Sequence, residues 1–167
     1  FVVVDDFDDD AGGGKAPGLG GALAPKGIRW TAHASKAALV PDPLGGRALR
    51  WTAEAPGGKA FLDHKLAERL SLADYEGFSV RVRALRAGAG KLDIGFDVAA
   101  RGHHAATPAL KLEGDRRWTD IHFPFAALER KKGFDPKAVE FVVFYYSGTD
   151  PLELEIDDFL LVPKKKE

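Results

Sequence analysis

Two runs of carboxylates offer the plainest chemistry in these 167 residues. The chain reads VVVDDFDDD from Val2 and, near its other end, ELEIDDF from Glu153. Like carboxylates crowded this closely repel one another unless a cation lies among them. Calcium takes about six to eight oxygen ligands and tolerates irregular geometry. If the first and last strands lie side by side, a period of two puts Asp6 and Asp8 on one face and turns Phe7 inward. Asp157 then comes beside them. The expectation is a structural calcium ion held by Asp6, Asp8 and Asp157, with loop carbonyls and water completing the shell. Aspartates are also common turn formers, and neither run has EF-hand spacing, so that second reading stays open.

Catalytic patterns are weaker. Glu155-Ile156-Asp157 begins like the Glu-x-Asp-x-x-Glu signature of glycoside hydrolases, whose retaining members need two carboxyl groups about 5–5.5 Å apart. The closing acid is missing, because Leu160 and Leu161 stand in its place. His103 and His104 are adjacent, and His33, His64 and His122 are isolated. With no cysteine in the chain, no spacing suggests zinc. There is no dinucleotide fingerprint, phosphate loop or nucleophile elbow. The sequence therefore predicts a binding module without catalytic residues.

Composition narrows the class. Hydrophobic residues make up 45% and charged residues 29%, with a formal net charge of −1. No basic face is predicted, which argues against nucleic acid as a partner. No apolar run approaches the ~20 residues of a membrane span. The first residue is Phe1 and no leader pattern precedes the first strand, so the expectation is a processed segment of a larger, secreted multidomain protein, extracellular or periplasmic. Residues 1–163 read as one module and 164–167 as a linker stub.

The elements that must position these groups are strands. Phe78, Val80 and Val82 alternate with Ser79, Arg81 and Arg83; Leu92, Ile94, Phe96 and Val98 alternate with polar residues or glycine. Leu152, Leu154 and Ile156 do the same with glutamates. Arg81 and Arg83 find cross-strand partners in Asp93 and Asp97 on this reading. Ala138 to Tyr146 is apolar on both faces, as a central strand would be, and a helical turn is expected near Ala126–Arg130. About ten strands separated by Gly, Pro and Asp predict an all-β fold, an antiparallel two-sheet sandwich of jelly-roll type. Trp30 and Trp118 are expected in its core.

In order along nearly the whole chain, VDDFDD, GGRALRWT from Gly45, YEGFSVRVRA from Tyr75, RRWTDIHFPFAAL from Arg116 and AVEFVVFYYSGTDPLELEIDDFLLV from Ala138 resemble the family 11 carbohydrate-binding modules. These are galactose-binding-like jelly rolls. The resemblance implies a non-catalytic module with structural calcium near the chain ends. It also implies a polysaccharide or oligosaccharide ligand, β-glucan-like, laid on a concave sheet face. Carried over by position, it implies ligand contacts from Trp51, His104, Lys131 and Phe134. The chain departs from the pattern at Val143, where the family shows a tyrosine, with Tyr145 two residues on and on the same face; Lys137 stands where the family has an acid. A sugar ring stacks on an aromatic face and its hydroxyls take hydrogen bonds. Trp51, Phe134 and Tyr145 are the candidates to stack, and Arg83, His104 and Lys131 the candidates to donate. A core position would suit Trp51 equally, and the same sandwich without a sugar cleft, serving as a structural or protein-interaction domain, remains the alternative.

Overall fold

The computed structural model describes residues 2–5, 30–42, 45–54, 58–87, 90–99 and 102–165. In chain order the strands are β1 (Val2–Asp5), β2 (Trp30–His33), β3 (Lys36–Pro41), β4 (Arg47–Ala53), β5 (Gly58–Leu70) and β6 (Tyr75–Arg86). Then follow β7 (Lys91–Ala99), β8 (Gly102–Ala106), β9 (Thr119–Pro124), β10 (Glu129–Arg130), β11 (Val139–Gly148) and β12 (Leu152–Pro163). The expected helical turn is a single 3-10 turn at Phe125–Ala127. One antiparallel sheet runs β3-β4-β12-β6-β9, with β1 added on β12; the other runs β10-β8-β7-β11-β5-β2. The twelve strands among the described residues exceed the ten expected: β3, KAALVP, is an apolar run without alternation, two-residue β10 is too short to alternate, and β5 is rich in charge.

Period-two alternation builds the core between the sheets. Val80, Val82, Leu92, Ile94, Phe96, Val142, Phe144, Leu154 and Ile156 all point inward and are buried. At the centre the Phe78 and Phe159 rings stack at 5.4 Å between centroids, and Phe96 meets Phe125 edge-on at 5.1 Å. Trp30 and Trp51 close one side of this cluster against Phe144.

Strand β12 changes register part-way. Leu152, Leu154 and Ile156 are inward on even numbers, whereas Phe159 and Leu161 are inward on odd ones. The extra residue sits at Asp157–Asp158, where the pairing with β6 slips and Asp158 takes a φ of 47°. Aspartate is among the few non-glycine residues that accept this left-handed region readily. The bulge lies where β12 exchanges one neighbour for another. Leu152 to Ile156 pair with β4, and Phe159 to Leu161 pair with β1. The two chain ends are therefore adjacent strands. Asp6 and Asp8, which follow β1, lie outside the described residues.

Candidate functional site

The ladder of the second sheet fixes what its outer face presents, because directly opposed residues share a face. Lys91, Ser147 and Lys59 form one row, Asp93, Tyr145 and Phe61 the next. Gly95, Val143 and Asp63 follow, then His104, Asp97, Phe141 and Lys65. Lys131 extends this last row, its backbone N–H donating to the His104 carbonyl at 2.9 Å. The result is a cleft of about 420 Å³ whose walls include Lys59, Lys91, Asp93, His104, Lys131 and Tyr145.

Tyr145 organises the floor. Its hydroxyl donates to Asp97 Oδ2 at 2.5 Å, drawing the ring across Gly95. A β-carbon at Gly95 would sit 2.9 Å from Tyr145 Cε2, so only glycine leaves room for the ring there. Phe61 meets Tyr145 edge-on at 5.3 Å and His104 flanks it at 5.5 Å. Burial first, then the adjoining Asp97 carboxylate, hold the Tyr145 phenol far above its ordinary pKa, so it remains a donor. Desolvation, followed by the fields of Lys131 and Lys59, lowers the pKa of His104 and favours the neutral imidazole. Desolvation also raises the Asp93 carboxyl, against the opposing pull of Lys59. At the next strand edge His33 Nε2 lies 2.9 Å from Asp63 Oδ2. An aromatic floor edged by amine, imidazole and carboxylate groups suits a flat, hydroxyl-rich ligand.

The sequence candidates fall into three places. His104, Lys131 and Tyr145 meet in this cleft. Phe134 is not part of the cleft lining: it is half-buried against the core beneath the Arg130 guanidinium, with 5.8 Å from Cζ to the ring centroid. Trp51 and Arg83 are corrected. Trp51 is 0% exposed in the core and gives its indole N–H to Ser35 Oγ at 2.8 Å, so it presents no face to a ligand. Arg83 belongs to the other sheet, directly opposite Glu155, and bonds its carboxylate at 2.8 Å. Arg50, opposing Glu155 from the other side, donates to it at 3.0 Å. Glu155 is fully buried between two guanidinium groups, its charge already matched.

The pairing of Arg81 and Arg83 with Asp93 and Asp97 is likewise corrected, since β6 and β7 lie in different sheets. Trp118 is outside the core too: Arg81 and Arg83 stack on its ring at 4.4 and 5.0 Å. Sequence reasoning missed Asp93, which lines the cleft, and Phe61 and Asp97, which share its sheet face and hold Tyr145 in place. The available signal was β11 itself. A strand apolar on both faces in a two-layer sandwich must present one apolar face outward.

A second cluster surrounds the bulge. Asp157 is buried, and its Oδ1 accepts the Asp158 N–H at 2.8 Å. The side chain of Asp157 also shares a hydrogen bond with that of Asp42, which is buried as well. Arg81 reaches Asp42 at 2.7 Å and stands 3.7 Å from Asp157. One guanidinium thus serves two enclosed carboxylates. Burial, then the neighbouring Asp158 charge, pushes the Asp157 carboxyl up to about 8. Among the described residues no three acids or histidines lie close enough to hold a metal ion alone.

No family model matches the sequence, and no curated protein matches it. Solved structures do. The family 11 carbohydrate-binding module from Clostridium thermocellum, in complex with a β-1,3-1,4-mixed-linked tetrasaccharide, superposes with a TM-score of 0.65 at 12% identity, over 84% of this chain and 92% of that one. This chain has the fold of the family 11 carbohydrate-binding modules. A family 30 carbohydrate-binding module matches with a TM-score of 0.61 at 16% identity, over 81% of this chain and 91% of that one. An exo-β-agarase matches at 0.69 and 8% identity, over the whole of this chain but only 26% of the agarase. At these identities the likeness is one of fold.

Proposed function

We propose that this chain is a non-catalytic carbohydrate-binding module that lays a polysaccharide across the outer face of the β10–β2 sheet. The observation that carries the reading is the floor of Tyr145, Phe61 and His104, preset by the bond from Tyr145 to Asp97. Aromatic faces held rigid before binding stack on a sugar ring at small entropic cost. A β-glucan-like backbone is the first ligand class to try, supported by the mixed-linked tetrasaccharide bound to the family 11 structure. Attachment to a larger protein is supported by the agarase, of which a domain like this one is about a quarter.

The acidic junction is read as a calcium site. Asp42 and Asp157 have the right chemistry, being two enclosed acids with one shared guanidinium, and a hard cation would take the place of the proton between them. They are too few to hold an ion alone. Asp6, Asp8 and backbone carbonyls of the segment after β1 would supply the rest, and the ion would clamp β1 to β12.

Affinity electrophoresis against soluble glucans, mannans and xylans tests the binding reading. The parent protein should be retarded by at least one of these polymers, and Tyr145→Ala should run unretarded. A parent that no polymer slows, with calcium present, would return the chain to the alternative of a structural or protein-interaction sandwich.

A further inference from the structure

We infer that the cleft selects an anionic glycan, one whose chain carries carboxylate or sulfate groups, over a neutral one; this rests on the reading of the cleft as a polysaccharide site. Lys59 and Lys91 both lie directly opposite Ser147 in the ladder. Their side chains therefore share the outer face and flank it two strand spacings apart, about 9–10 Å. Lys131 enters from the far side, beside His104. None of the three lysines forms an ion pair within 4.0 Å with a carboxylate among the described residues.

Two acids on the same face have their oxygens occupied by hydrogen bonds, which leaves them fewer sites for a ligand but does not cancel their charge. Asp97 is enclosed and receives the Tyr145 hydroxyl, and Asp63 receives His33. What lines the opening is Lys59, Lys91, Arg130 and Lys131 against Asp93 and Glu129. The lining itself thus carries two more positive than negative charges, with Asp97 beneath the floor and Asp63 beside it outside that sum, on a chain whose formal net charge is −1. A surplus gathered at one concave site, against the sign of the whole molecule, favours a ligand of opposite charge. The lysines stand at the two ends of the aromatic floor, placed to meet charged groups on a glycan whose rings lie on Tyr145 and Phe61.

One β-1,3-1,4-glucan in three forms, neutral, carboxymethylated and sulfated, supplies the test by titration calorimetry. At low salt one or both charged forms should bind on the order of tenfold more tightly than the neutral parent. That preference should collapse at molar salt, where the screening length falls to about 3 Å. Whichever charged form gains more affinity identifies carboxylate or sulfate as the recognised group. The triple variant Lys59→Gln, Lys91→Gln, Lys131→Gln should erase the ratio between charged and neutral forms. Equal affinity for all three forms overturns the inference but leaves the glycan site standing. A preference that survives the triple variant overturns it as well. If no form binds, and a uronan such as polygalacturonate does not either, the glycan reading fails and takes the inference with it.

Discussion

Two side chains carry most of the local chemistry, Tyr145 and Asp157. Removing the phenol in Tyr145→Phe takes a donor from the enclosed Asp97 carboxylate, which should cost about 1–3 kcal/mol in urea denaturation. It should also weaken glycan binding, since the ring loses its anchor over Gly95. Asp157 makes a pH prediction. Its folded pKa of about 8 exceeds the ordinary value of 3.8, so the folded state holds a proton that the unfolded state releases. Metal-free protein should therefore lose stability as pH rises from about 4 to about 8, the direction linkage gives when the native state binds more protons. Asp157→Asn mimics the protonated acid and should flatten that slope in thermal melts. If calcium fills the junction, it should raise the melting temperature of the parent more at pH 8 than at pH 5. Chelator should then lower the melting temperature of the parent and leave Asp157→Ala nearly unchanged; equal sensitivity of both proteins would remove Asp157 from the site.

Among elements, β12 shows best what a sequence discloses and what it hides. Its alternation is legible, and the IDDF stretch marks the bulge, but nothing in the letters says that parity switches there. The switch needs a residue at positive φ, so Asp158→Val should be less stable than Asp158→Gly by about 1–2 kcal/mol in chemical denaturation. Strands β6, β7 and β11 were readable because apolar and polar residues alternate cleanly or, in β11, because both faces are apolar. Strand β5, GKAFLDHKLAERL, was not. Its outward residues Lys59, Phe61, Asp63 and Lys65 mix aromatic with charge, as a binding face does and a core face does not. The site was harder still. Alternation says that neighbours point opposite ways, not which way is inward, so Trp51 and Tyr145 read alike until the sheets are assembled. Paired charges across two layers, such as Arg83 with Glu155, depend on strand order, which carries no local signal.

On the scale of the molecule, two sheets are joined through one aromatic cluster, with Phe159 touching Phe78, Phe96, Phe144 and Trp30. Phe159→Ala should cost about 3–5 kcal/mol and lower the whole unfolding transition, because both sheets lose the same filler. The two faces outside that core differ in kind. The face of β4, β12 and β6 is closed by ion pairs among Arg50, Arg83, Arg86, Glu153 and Glu155, under Trp118. The face of β8, β7, β11 and β5 is open and aromatic, and it alone is assigned the glycan. The most direct measurement is titration of a retained polysaccharide into the parent, Phe61→Ala, Tyr145→Ala and Trp118→Ala proteins, each first shown to be folded. Binding lost in the Phe61 and Tyr145 variants and kept in the Trp118 variant is the expected result. Binding lost with Trp118 and kept without Phe61 and Tyr145 would place the ligand on the opposite sheet and contradict the assignment.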